Sequence, residues 1–282
     1  MFLITGATGN VGRALVEHLV EEGVPVRAVT RNPESAEFPE GVEVVSGDPS
    51  SPESLAEALS GVSGLFLNPA AVGGSTAGLL ELARERGVKR VVMLSSDVVV
   101  DGVAEQTDSI AAWHKQIEET VVASGLEWTI LRAGEFATNL IGLWGPQIRA
   151  TGVVRAPYGH GTTAPIHERD IAATAVRALL TDEHLSATYS LTGPKSLTRV
   201  EMVEIIAQVL DRPVRFEELS PEQALQAILA QGTPKPIADS ILALQAESVG
   251  REAHVGTGVE AVTGKPARPF AEWVADHSGV FA

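Results

Sequence analysis

The 282-residue chain contains no cysteine. Disulfides, thiolate nucleophiles and Cys-ligated metals are thereby excluded, and nothing ties the chain to an oxidising compartment. Basic residues are scarce: 21 Lys and Arg stand against 36 Asp and Glu, a formal charge of −15. Such a surface repels phosphate backbones and anionic lipid, so no direct nucleic-acid or membrane partner is expected. No stretch approaches the roughly 20 apolar residues of a membrane helix, and the start of the chain lacks the basic region and long apolar run of a secretion signal. A cytoplasmic protein is the expectation. Metal-ligand spacing is missing too, since His160 and His167 lie in a Gly-rich loop without a third partner, so no metal is expected. Tyrosine occurs only twice, at positions 158 and 189. Repeats and low-complexity tracts are absent.

What is present is an alternation. The 44% apolar content is enough for one large core, or one core with a small appendage. Short apolar runs at 2–4, 24–30, 42–48, 62–68, 90–96 and 127–133 are separated by helical patterns, beginning with Val11, Leu15, Leu19 and Val20 at helical spacing. Ser51 followed by Pro52 predicts a capped helix over 51–59, and further helices are predicted around 77–87 and 108–124. Strands that are apolar throughout and separated by single helices predict an α/β fold, a Rossmann-type doubly wound parallel sheet. Residues 1–134 read as the nucleotide-binding domain. Residues 135–282 read as a smaller C-terminal α/β substrate lobe interleaved with the sheet edge. Within it, 221–247 reads as two helices broken at Gly232, Pro234 and Pro236, either a lid or packing.

The first strand runs directly into "TGATGNVG". Gly6 permits a tight turn, Gly9 leaves bare backbone for a pyrophosphate, and Gly12 lets the helix pack closely. Thr8 belongs to this loop, and the helix start at Asn10 and Val11 aims free N–H groups and a positive dipole end at an anion. At the end of the second strand an NAD site would place an acid; here stand Thr30 and Arg31, and Arg31 suits a 2′-phosphate, so NADP(H) is preferred over NAD(H). Asp48 offers an acceptor to the adenine or else a turn, and Asn68 and Pro69 end the fourth strand on the same rim. Ser95 and Ser96 end the fifth, where they would reach the nicotinamide or satisfy nearby backbone. Asp170 reads as a helix cap.

Taken together, "TGATGNVG", "VRAVTRNP", "GDPSSPESL", "VVMLSS", "EETVVASGLEWTILRAGEFATNL", "RDIAATAVRALL", "YSLTGPKSLT" and "VTGKPARPFAEWV" resemble the NmrA-like group of atypical short-chain dehydrogenases over nearly the whole chain. That group includes NADPH-dependent quinone reductases, phenylpropanoid reductases, and members that bind NADP without catalysis as redox sensors. The resemblance implies a Rossmann sheet with a small C-terminal lobe. It does not by itself imply turnover.

Carbonyl-reducing short-chain dehydrogenases use a Tyr four residues before a Lys, and neither tyrosine here has that partner. The usual Tyr and Lys positions hold Ile110 and His114, and the quinone-reducing members that the chain resembles carry a His at the latter. His114 is therefore the candidate catalytic residue, as proton donor or as a contact to the nicotinamide ribose. Trp113, Glu135, Phe136 and Asn139 are the candidate substrate pocket, the last three lying in "GEFATNL", which matches a pocket-lining segment of the group. Three functions are consistent with these residues: an NADPH-dependent reductase of a quinone or related conjugated carbonyl, a non-catalytic NADP-binding regulator acting through a protein partner, and a tailoring reductase or isomerase of aromatic or polyketide intermediates. A small-molecule substrate, quinone or aromatic, and a homodimer or protein partner are the implied partners.

Overall fold

The computed structural model describes residues 1–106 and 108–282. Its strands are β1 (Phe2–Ile4), β2 (Val26–Thr30), β3 (Glu43–Ser46), β4 (Gly64–Leu67), β5 (Arg90–Ser96), β6 (Glu127–Ala133), β7 (Val153–Ala156), β8 (Thr162–Thr163), β9 (Ala187–Leu191), β10 (Leu197–Thr198) and β11 (Arg215–Glu218). Seven of them form one sheet in the order β3-β2-β1-β4-β5-β6-β9, with every neighbouring pair parallel. The order reverses between β1 and β4. Ligands of open α/β sheets bind beyond the carboxyl ends of the strands at such a switch point.

Both faces of this sheet are buried, as its apolar strands require. On one face Ile4, Phe66, Val92, Leu94 and Leu131 pack against the helices Asn10–Glu21 and Glu168–Leu180. On the other, Leu3, Leu65, Leu67, Val91 and Met93 meet the helices Thr76–Glu85 and Ser109–Ala123. Successive residues of one strand therefore serve opposite cores. Each fully buried Leu or Phe contributes about 1.5–3 kcal/mol of transfer free energy. A third core, around Trp144, Ile148, Ile206, Phe270, Trp273 and Phe281, belongs to the C-terminal part. That part carries two small sheets, β7 with β11 parallel and β8 with β10 antiparallel. Residues 168–191 nonetheless return to the main sheet, supplying a covering helix and its edge strand β9.

Local expectations fail in three places, each for a physical reason. Residues 51–59 do not make an α-helix: Pro52–Leu55 is a single 3₁₀ turn, and Ser51 makes no side-chain cap. There the Ser54 hydroxyl bonds back to the Asp48 main chain, and these local bonds replace the helical ladder. In the first helix Val16, not Val20, joins Val11, Leu15 and Leu19 in the buried stripe. Asp170 is not a cap either. His167 caps that helix by accepting the Arg169 N–H at 3.2 Å, while the Asp170 carboxylate receives the backbone N–H (2.7 Å) and guanidinium of Arg268.

Candidate functional site

The glycine turn has the geometry that its spacing requires. Gly6 adopts φ +65°, a left-handed conformation that favours glycine, and a Cβ there would stand 2.6 Å from Asn68 Nδ2. A Cβ on Gly12 would collide with the Gly6 carbonyl and with Ala7, so this glycine fixes the approach of helix Asn10–Glu21 to the turn. Gly9 N–H donates to Gly6 O at 3.0 Å, and Gly9 precedes the helix with no side-chain cap. The first intrahelical bond to Gly9 comes from Arg13. Thr8, Gly9 and Asn10 are exposed, whereas Val11 and Gly12 are buried beneath them. The start of this helix thus lies beyond the carboxyl end of β1 with no side-chain cap, the kind of helix N-terminus that anions favour. Thr5, which the sequence reading overlooked, braces this rim: its buried hydroxyl donates to Phe66 O (2.9 Å) and accepts from Asn68 N (2.8 Å). Asn68 in turn caps the short helix Pro69–Val72 by accepting from Ala70 N, and Pro69 is buried as its first residue.

Towards the β2–β3 end, Arg31 is exposed just past β2. Asp48 spends its Oδ1 on the N–H and hydroxyl of Ser50, at 3.0 and 2.7 Å. Those bonds, aided by the Arg31 charge, hold its carboxyl below the usual range. The turn-forming role of Asp48 is therefore the one that its contacts display. Arg13 also reaches this end, donating to Glu37 O at 2.9 Å and lying 6.0 Å from the centre of the Phe38 ring.

On the β5–β6 side the serines diverge. Ser95 is buried and donates to Glu118 Oε1 at 2.6 Å, so its hydroxyl is turned into the structure and away from a nicotinamide at the rim. Ser96, on the opposite side of the strand, is half-buried. Glu118 is itself gripped by Arg132 through Nε (2.9 Å) and Nη2 (2.7 Å), and Arg132 extends its fork to Asp101, which Lys115 also holds at 2.9 Å. Hydrogen bonds from Arg132 and then Lys115 keep the Asp101 carboxyl well below the usual range, and bonds to Glu118 and then Asp101 push the Arg132 guanidinium up. This network was not legible in the sequence, since its members are spread over residues 95–132. The clue available was Glu118 standing one helical turn beyond His114.

His114 lies on the same helix, Ser109–Ala123, whose Asp108 cap accepts from the N–H groups of Ile110 and Ala111. Its Nδ1 is 2.9 Å from Ile110 O, a group that can only accept, so Nδ1 carries the proton. Burial lowers the His114 pKa against the opposing pull of the Ile110 carbonyl, Glu118 and Asp108. At neutral pH the ring is uncharged and its Nε2 is an acceptor. Trp113, 38% exposed, stands edge-on to this ring at 4.6 Å. Lys115 points to Asp101 instead, as its place around the helix dictates.

Glu135, Phe136 and Asn139 follow β6. Phe136 pairs with Ile166 in an isolated parallel bridge and packs on the first core, and Asn139 is exposed. Glu135 is half-buried and lies 3.8 Å from the guanidinium of the buried Arg199. The two helices Pro221–Ala230 and Lys235–Glu247 form a hairpin, the second resting on helix Ser109–Ala123 where Ser240 Oγ meets Ser109 Oγ at 3.1 Å.

The loop histidine does have partners, contrary to expectation. His167, Glu168 and His277 bring their ligand-type atoms within 4.8 Å of one another. Glu168 receives His277 Nε2 at 3.0 Å and the Trp273 indole N–H at 3.1 Å, while His167 Nε2 is 3.4 Å from Asp276. Sequence spacing missed the cluster because His277 arrives from the last helices of the chain. Its members bind one another, tying helix Phe270–Asp276 to the start of helix Glu168–Leu180.

A family model described as NAD(P)H-binding matches residues 6–182. The chain is 38% identical to (4-alkanoyl-5-oxo-2,5-dihydrofuran-3-yl)methyl phosphate reductase of Streptomyces griseus, over 100% of this chain and 99% of that protein. It is 34% identical to the NAD(P)H azoreductase of Xenophilus azovorans, over 100% and 99%. The solved structure of the NADPH-dependent quinone oxidoreductase of Escherichia coli, in complex with NADPH, aligns with a TM-score of 0.79 at 25% identity, covering 99% of this chain and 100% of that one. With the glycine turn, the parallel sheet and these full-length relatives in agreement, the chain belongs to the NAD(P)H-binding, NmrA-like family of atypical short-chain dehydrogenases.

Proposed function

We propose that the protein is an NADPH-dependent reductase of conjugated acceptors: quinones, azo compounds and acylated unsaturated lactones. The observation that carries this reading is the uncapped helix start at Gly9, with Gly6 and Gly12 shaped to leave main-chain amides open at the topological switch point. The acceptor classes follow from the activities of relatives that match this chain over most of its length. When bound, the nicotinamide supplies a hydride. The chain's own residues supply the rest. The amides of Asn10 and Val11 hold the diphosphate, and Arg31 takes the 2′-phosphate that distinguishes NADPH from NADH. His114, uncharged and with a bare Nε2, accepts a hydrogen bond in the pocket and orients its donor. Trp113 and Phe136 offer flat apolar walls to an aromatic acceptor. An acceptor already activated by conjugation needs positioning more than a Tyr–Lys pair.

The test is oxidation of NADPH and of NADH, followed at the reduced-nicotinamide band, with a panel of quinones and azo dyes. Turnover that prefers NADPH and collapses in Gly9→Trp supports the reading. Tight NADPH binding without oxidation by any acceptor overturns it and assigns a redox sensor instead.

A further inference from the structure

Two distant parts of the chain meet at the start of helix Glu168–Leu180: His167 and Glu168 on one side, Asp276 and His277 on the other. Among the described residues, His167, Glu168 and His277 bring together one ligand-type atom each, all within 4.8 Å of one another. The reductase reading gives this group no task. It does not belong to the solvated surface either, since His167 is 1% exposed, Glu168 is buried and His277 is half-buried.

The hydrogen bonds around the group decide which ring atoms are bare. Trp273 O can only accept, so the His277 Nδ1 that lies 2.9 Å from it carries a proton and donates. His277 Nε2 then faces Glu168 Oε1 at 3.0 Å. His167 Nδ1 accepts the Arg169 N–H at 3.2 Å, which makes it the bare nitrogen of that ring, and it also stands 3.2 Å from Glu168 Oε2. A second proton on His277 satisfies the first of these contacts with the carboxylate. The second contact sets two acceptors against each other, which repel unless a cation lies between them. The remaining nitrogen of His167, Nε2, is sealed from solvent and makes no hydrogen bond, its nearest carboxylate oxygen being Asp276 Oδ2 at 3.4 Å.

These spacings match a divalent cation of the zinc class. Donors placed 2.0–2.2 Å from a tetrahedral Zn²⁺ stand about 3.3 Å apart, and Glu168 has a nitrogen donor at 3.2 Å on one side and at 3.0 Å on the other. The outer bonds are those that orient metal ligands. His277 is fixed by its N–H on the Trp273 main chain, Glu168 receives the Trp273 indole N–H at 3.1 Å, and His167 turns its Nε2 towards the Asp276 carboxylate. Two imidazoles with one carboxylate suit Zn²⁺ and its neighbours, whereas Mg²⁺ and Ca²⁺ take oxygen donors.

We propose that His167 Nδ1, the Glu168 carboxylate and His277 Nε2 form a Zn²⁺ site, completed by water on the exposed side of His277. The ion takes the place of the second His277 proton, and the Arg169 N–H, at an exposed residue of the first helical turn, yields its acceptor to the metal. Bound there, Zn²⁺ clips helix Phe270–Asp276 to the start of helix Glu168–Leu180. Ile166, which bridges to Phe136, immediately precedes His167, so the clip holds that segment from behind. The site is independent of the reductase reading, and neither stands or falls with the other.

Zinc alone is the probe. The tag-free protein is stripped with a chelator, desalted and titrated calorimetrically with Zn²⁺, with Mg²⁺ as the comparison. A single Zn²⁺ per chain should bind and raise the thermal midpoint, while Mg²⁺ at the same concentrations does neither. Loss of an outer partner alone costs about 10- to 100-fold in affinity, so His277→Gln, which removes a ligand, should weaken Zn²⁺ binding by more than about 100-fold. His160→Gln, at an exposed histidine of the preceding loop, should change nothing. Should His277→Gln fail to fold, ¹⁵N-histidine spectra of the wild-type protein decide: Zn²⁺ should shift two of the seven histidines, one through Nδ1 and one through Nε2, and leave the rest unmoved. Absence of Zn²⁺ binding, binding that survives His277→Gln or is lost equally in His160→Gln, or shifts that fall on the exposed His160 and His254 instead overturns the site.

Discussion

Gly12 lies directly against Gly6, so close that a methyl group in place of one α-hydrogen would overlap the Gly6 carbonyl oxygen. The turn proposed to hold the diphosphate and the helix behind it are therefore packed as one unit. Gly12→Ala forces the helix away from the turn. The expected cost is about 1–3 kcal/mol of stability, as for other overpacked sites, and a lower NADPH affinity. Denaturant midpoints and equilibrium titration measure the two effects.

Arg31 decides the cofactor preference in the proposed site. A charge-assisted hydrogen bond contributes about 1.5–3 kcal/mol, so Arg31→Ala should reduce the preference for NADPH over NADH by about 10- to 100-fold. NADH kinetics should be nearly unchanged. An equal loss with both nucleotides would show that Arg31 does not face the 2′-phosphate.

Glu118 is 3% exposed and is held by Arg132 and Ser95. Removing its charge leaves the Arg132 guanidinium, only 11% exposed, with Asp101 as its remaining carboxylate partner. Glu118→Gln should destabilise the fold by about 1.5–3 kcal/mol, the range for a hydrogen bond to a charged group. Chemical denaturation with an unchanged slope checks this.

The Glu168–His277 pair predicts a pH dependence with a definite sign. The hydrogen bond to Glu168, against the opposing effect of burial, raises the His277 pKa above its ordinary value. Its contribution is complete below the unfolded pKa of about 6.5 and is lost as pH rises through the higher folded value. Burial works against ionised Glu168, but the neighbouring His167 and the bond from His277 outweigh it and leave its pKa lowered. That contribution is present above about pH 4.5 and fades as pH falls towards the lower folded value. Stability from this latch should peak between the two and decline as pH rises above about 6.5. His277→Gln should abolish the decline on the alkaline side, as measured by denaturant midpoints across pH.

Features set by local backbone chemistry were legible in the sequence. Glycines three residues apart after an apolar strand specify a turn whose conformation and spacing few other residues fit, and Gly6 and Gly12 meet both demands. The apolar strands announced a sheet covered on both faces. Side-chain networks were not legible, because the fold alone brings their members together: Glu168 meets Trp273 across 105 residues, and Arg132 meets Asp101 across 31. Ser51 and Asp170 show the opposite error, since each has a capping residue type while its neighbours, Ser54 with Asp48 and Arg268, settle the outcome.

The late arrival of β9 has a consequence for synthesis. As the chain leaves the ribosome, the outer edge of β6 emerges with its hydrogen-bonding groups unpaired, and residues 187–191, which cover it, follow only after β7, β8 and the helix Glu168–Leu180. An open parallel edge is a template for pairing with another nascent chain. Slowing translation between these two strands should therefore raise the aggregated fraction, and binding of a chaperone to that interval should lower it.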